Sequence, residues 1–131
     1  MLRKTILTTV AAIALATGAQ AAGPLSASDL KDMIEMRSNT ITFDLTYRGR
    51  AFRAKLTFRR TQVAGREYLA TFDGASDFQQ VYCYVGGKNP KNSQAVDQVA
   101  TFKKGDPVTV SGLVTYSITL GVWLEQCEFS Q

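Results

Sequence analysis

The chain of 131 residues has no histidine, which removes the commonest general base and the commonest metal ligand. Ser-His-Asp and Cys-His catalytic arrangements are therefore impossible. No phosphate-binding loop, dinucleotide fingerprint or zinc-ligand spacing appears either. The two cysteines, Cys83 and Cys127, stand 44 residues apart and form no C-x-x-C redox motif. Asp73 and Asp77 are spaced as a carboxylate pair might be, but an Asp-Gly turn uses aspartate for backbone reasons. Glu125 and Glu128 read as solvated or salt-bridged. The expectation is a protein that is not an enzyme and carries no metal and no cofactor.

One long apolar run is present, at the start. Arg3 and Lys4 precede the apolar stretch Thr5 to Gly18, and Ala19-Gln20-Ala21 is a small-x-small cleavage site. The stretch falls short of the roughly 20 residues of a membrane span. Residues 1–21 read as a signal peptide and 22–131 as one domain, periplasmic or secreted, with no membrane span after cleavage. No cysteine follows the site, so a lipid-anchored product is not expected. Loss of Arg3 and Lys4 lowers the net charge from +4 to +2. That balance demands neither nucleic acid nor an anionic membrane as partner. Export places both cysteines where disulfides persist. A bridge across 44 residues contributes about 4 kcal/mol in the chain-entropy account. Buried free thiols are the alternative, because sequence gives no Cα separation.

Ser26 to Arg37 shows helical spacing, with Ser26 or Ser28 as cap, Leu30, Met33 and Ile34 facing the core, and Asn39 as terminator. Thr40 to Tyr47 alternates and reads as a half-buried strand or an extended lead-in. Ala51 to Thr61 is the cleanest strand: Phe52, Ala54, Leu56 and Phe58 oppose Arg53, Lys55, Thr57 and Arg59. Arg66 to Phe72 and Gln79 to Val85 follow as strands. Ser93 to Phe102 has helical spacing, with Asn92 or Ser93 as cap. A Gly-Asp-Pro turn introduces Val108 to Val114, where Gly112 marks a bulge or bend. In the closing strand, Val122 to Phe129, neither face is clean, and Trp123, Cys127 and Phe129 read as inward.

Three strands, a helix and two strands is the order of a mainly β, five-stranded OB-fold-like Greek-key barrel, with an N-terminal helix and a helix between strands 3 and 4. A β-sandwich is the rival. In the OB topology strands 3 and 5 are neighbours, which would put Cys83 beside Cys127 and favour a disulfide. Tyr47-Arg48-Gly49-Arg50, Val81-Tyr82-Cys83-Tyr84, the run Lys104 to Gly112 and Leu124-Glu125-Gln126-Cys127 occur in an order that resembles exported bacterial OB-fold proteins of the tRNA-anti-like family. The likeness covers roughly Leu30 to Phe129. It implies the barrel, and the family's name carries no tRNA binding to this chain.

The main non-structural feature is a basic stripe. Arg48, Arg50, Arg53, Lys55, Arg59, Arg60 and Arg66 are seven cations in 19 residues, with no acid except beyond them. A solvated face that protects a strand edge is the ordinary reading of such a stripe, with an anionic or extended ligand, then nucleic acid, as the alternatives. Tyr82 and Tyr84 stand on the outer face if Val81, Cys83 and Val85 point inward; a one-residue slip exchanges the two sets. The candidate ligand-binding residues are Arg53, Lys55, Arg59, Tyr82 and Tyr84. The expected function is a non-catalytic periplasmic module for an unknown protein, peptide or small anionic ligand. The alternatives are an envelope structural or stress-related protein acting through a partner chain, and a single-stranded nucleic-acid binder, the last disfavoured by export.

Overall fold

The computed structural model describes residues 23–76, 78–86, 90–118 and 121–131, with backbone alone for 90–93. The expected signal peptide, and Asp77 of the Asp73–Asp77 pair, lie outside the described residues. Ser26 begins the first helical segment, its N–H donating to the Asp29 carboxylate at 2.7 Å. A 3₁₀ turn, Ala27–Asp29, leads into α1 (Leu30–Glu35), and a second one, Met36–Ser38, leaves it. Leu30, Met33 and Ile34 are buried, as the helical spacing requires.

Asn39 does not simply end this helix; it opens another. Its Oδ1 accepts the Thr42 N–H at 3.1 Å and caps α2 (Thr40–Thr46), where a strand was expected. The alternation of Ile41, Phe43, Leu45 and Tyr47 contains two i,i+4 pairs, so it serves a helix as well as a strand. Phe43 and Tyr47 are buried with ring centroids 5.6 Å apart, while Ile41 and Leu45 are exposed.

The strands are β1 (Ala51–Ala64), β2 (Glu67–Asp73), β3 (Gln80–Gly86), β4 (Pro107–Ile118) and β5 (Gly121–Ser130). They close in the order β1-β2-β3-β5-β4, with β3 and β5 parallel and the other pairs antiparallel. This is the OB arrangement, not a sandwich. Cys83 and Cys127 form a disulfide between the neighbouring strands β3 and β5, with Cα atoms 6.1 Å apart. The helix before β4, α3 (Pro90–Val99), starts at Pro90 rather than Ser93. Proline suits a first helical turn because its missing N–H has no intrahelical partner there. Asn92 and Ser93 therefore lie inside the helix and do not cap it. Ala95, Val99 and Phe102 join the barrel core.

Three irregularities set which residues face in. An extra residue at Arg59 shifts β1 against β2. Thr115 shifts β4 against β5, and so does the Gln126 region of β5. Gln126 has φ 54°, a left-handed conformation that non-glycine residues rarely adopt. Before it, Val122 and Leu124 are buried; after it, Cys127 and Phe129 are. The inward set thus changes parity, and Trp123 faces outward, against the expectation. Gly112 lies opposite this bulge, where a Cβ would come 2.9 Å from the Glu125 carbonyl oxygen. Only glycine lets the two backbones approach so closely.

Candidate binding face

Val81, Cys83 and Val85 are buried, so Tyr82 and Tyr84 stand on the outer face of β3. Directly opposed residues of paired strands share a face. Register pairs Arg60 with Thr71, Thr71 with Tyr82, Tyr82 with Trp123, and Trp123 with Tyr116. One outer row therefore runs Arg60–Thr71–Tyr82–Trp123–Tyr116 across all five strands. Tyr84 leans on the same row. Its ring lies 5.2 Å from Trp123, with Tyr82 at 4.7 Å and Tyr116 at 5.4 Å. Trp123 is the hub of the three tyrosines.

The local sequence supports this geometry. Gly121, diagonal to Tyr82, leaves the space the ring fills: a Cβ there would fall 2.1 Å from Tyr82 Cε2. The Tyr82 hydroxyl donates to Gln80 Oε1. Thr115 Oγ1 donates to the Trp123 carbonyl at 2.8 Å and Ser117 Oγ to the Gly121 carbonyl at 3.1 Å, which hold the irregular β4–β5 pairing. Thr71 and Leu69, on the outer face beside Tyr82 and Tyr84, are buried although they face away from the core. Trp123 Nε1 is buried with no hydrogen-bond partner among the described residues. Tyr84 and Tyr116 remain 38% and 42% exposed, so ligand can reach both.

Burial raises the Tyr82 pKa above the ordinary tyrosine value, and the Arg60 and Arg59 charges work against the shift. Burial also raises Tyr116, with Tyr84 adding to it. Both hydroxyls are therefore neutral donors at neutral pH.

The cations expected to act together are divided. Arg59 Nη1 contacts both Asp73 carboxylate oxygens at 3.1 Å, near the end of the row. Arg53 and Lys55 face outward opposite Ser111 and Thr109 of β4. At strand rise, Ser111 is about 17 Å along β4 from Tyr116, so Arg53 and Lys55 do not share the aromatic face. Arg53 instead borders shallow pockets with Ser111 and Glu128. Arg60, Tyr116 and Trp123 complete the row and were not among the candidates. Trp123 was hidden by the bulge at Gln126, and Arg60 by the one at Arg59, since alternation carried past either bulge assigns the wrong face. Among the described residues no group of three or more His, Cys, Asp or Glu side chains is placed to hold a metal ion.

The fold has a solved counterpart. It is the crystal structure of a "putative nucleic acid-binding lipoprotein" from Klebsiella pneumoniae subsp. pneumoniae MGH 78578, at a TM-score of 0.59 and 12% identity. The match covers 87% of this chain and 96% of that one. At that identity the likeness is one of fold. No family profile and no curated protein matches the sequence. Among the described residues no helix is long and apolar enough to cross a membrane.

Proposed function

We propose that this is a non-catalytic binding module of the periplasm, related to the tRNA-anti-like OB-fold proteins, which holds its ligand on the Tyr82–Tyr84–Tyr116–Trp123 face. The observation that carries the reading is the position of Trp123, fenced by three tyrosines on the outside of the barrel. Large aromatic groups kept at a surface with polar tips at the rim are the composition of recognition sites. Arg60 at the end of the row favours negative charge at one end of the ligand. A peptide or small anion with flat groups fits this arrangement. Periplasmic residence is supported by the disulfide, which persists in oxidising compartments.

Single-stranded nucleic acid is the second reading. Stacking aromatics on an OB face favour it, as does the name of the structural counterpart. Against it, a strand binder needs a cationic groove along its length, whereas Arg59 is paired with Asp73 and Arg53 and Lys55 lie elsewhere.

Trp123 is the sole tryptophan, so its fluorescence reports this face directly. Titration with an aromatic acidic peptide such as Asp-Tyr-Asp-Tyr should change the emission saturably, and Tyr82→Ala should weaken the response. Stronger binding of an oligothymidine, with a steep salt slope, would transfer the face to nucleic acid. No emission change with either probe would refute the assignment.

A further inference from the structure

The barrel is closed, yet β1 has one open edge. Its pairing with β4 runs from Ala51↔Leu113 to Thr57↔Pro107. The preceding loop extends this by one step, through Phe58 N–H to the Asp106 carbonyl and Gly105 N–H to the Phe58 carbonyl. Beyond Phe58, β1 continues to Ala64 with β2 as its partner on the other side. Among the described residues no backbone hydrogen bond reaches that second edge between Arg60 and Ala64.

The hydrogen-bonding groups can be assigned. Ala64 and Glu67 close the β1–β2 hairpin around Gly65-Arg66, with Gly65 at φ 65° as this tight turn requires. A two-residue loop makes the closing pair a hydrogen-bonded one, and antiparallel pairs alternate. Thr61 and Val63 therefore direct their N–H and C=O groups away from β2. Both side chains are exposed, Val63 at 74%. They share a face with Ala70 and Tyr68, their register partners. On that side Thr61 lines a groove of about 210 Å³ with Tyr68, Val85, Val96, Val99 and Ala100.

An unpaired edge above an apolar groove matches one kind of occupant, an extended segment whose backbone continues the sheet and whose alternate side chains enter the groove. Cations outnumber acids around it, Arg66, Lys103 and Lys104 against Glu67 and Asp106. Arg66 stands at the turn, and exposed Lys103 and Lys104 belong to the loop at Phe58. The acid of that loop, Asp106, accepts the Lys103 N–H at 2.8 Å. We propose that the β1 edge at Thr61–Val63 accepts an extended acidic segment of a partner protein as an added strand. This surface is separate from the aromatic face, and its recognition is mainly through the backbone.

The test uses the mature protein and an amidated peptide of alternating Glu and Val. Amide hydrogen exchange at Thr61 and Val63 should slow by about tenfold on saturation. Replacing the Glu residues by Lys should weaken binding by about tenfold. N-methylation of alternate peptide amides should abolish it, a control that leaves the protein untouched. Thr61→Pro should abolish it too, since proline is tolerated where the N–H faces outward. Tyr84→Ala should leave it unchanged, which separates this edge from the aromatic face. Equal binding of the N-methylated peptide, or no protection at Thr61 and Val63, would overturn the proposal. Protection that grows with protein concentration alone would assign the edge to a second copy of this chain and overturn it equally.

Discussion

Two groups of four aromatic rings lie on opposite sides of the barrel wall. Inside, Phe58, Phe72, Phe102 and Phe129 meet with centroids 5.4–6.0 Å apart. Outside, Trp123 meets Tyr82, Tyr84 and Tyr116 at 4.7–5.4 Å. The spacing is much the same, and the chemistry differs. The inner rings have no polar atom to satisfy and are almost wholly buried. Each outer ring carries a polar atom, and two of the tyrosines are open to solvent. Desolvation makes the inner group a source of stability, whereas the outer group keeps part of its surface open to solvent.

The sharpest test of this contrast is Phe72→Ala. It should cost about 4 kcal/mol in urea unfolding, because Phe72 is fully buried against the Phe58 and Phe129 rings and the cavity cannot fill. A loss under about 1 kcal/mol would break the comparison. Next comes the double change Cys83→Ser with Cys127→Ser, which should cost about 3 kcal/mol and leave the outer rings in place. Trp123→Ala should cost about 2 kcal/mol, from three ring contacts at a half-open site, while removing the response to ligand. Because it deletes the only tryptophan, its stability is read by circular dichroism and its binding by calorimetry. Tyr84→Ala should cost about 0.5 kcal/mol and still weaken binding.

A pH series sharpens the same contrast from the outer side. With the Tyr82 pKa raised by burial, this tyrosine is protonated in both folded and unfolded states below about pH 10 and contributes no change in stability there. Above that value the unfolded tyrosine ionises first, so stability falls as pH rises through the folded pKa. Tyr82→Phe should flatten part of that fall; Tyr47 and Tyr116, raised in the same direction, should retain the rest. Stability that rises between pH 10 and 11 would contradict the burial of these hydroxyls.

Much of the barrel was readable from period-two patterns. Phe52, Ala54, Leu56 and Phe58 point inward as their alternation requires, and strands 3 and 5 are neighbours as the element order implied. Two of the readings that failed did so for separate reasons. Thr40 to Thr46 is helical because its alternating residues also form i,i+4 pairs, and packing of Phe43 and Tyr47 chose between them. Trp123 faces out because one left-handed residue, Gln126, reverses the facing of everything after it. The candidate site was half legible: Tyr82 and Tyr84 were visible as a pair, but Arg60, Tyr116 and Trp123 join them only through strand register.

The amino-acid sequence by itself determined the order of the five strands and of the helix between the third and fourth, the absence of histidine chemistry and the residues available to fill a core. Those follow from local periodicity and from side-chain type, which the chain carries wherever it goes. The tertiary structure decided which cations share a face with the tyrosines, which side Trp123 takes and where β1 is left with an open edge. Each depends on a bulge or on where a partner strand stops, and both are settled by packing between segments far apart in the chain.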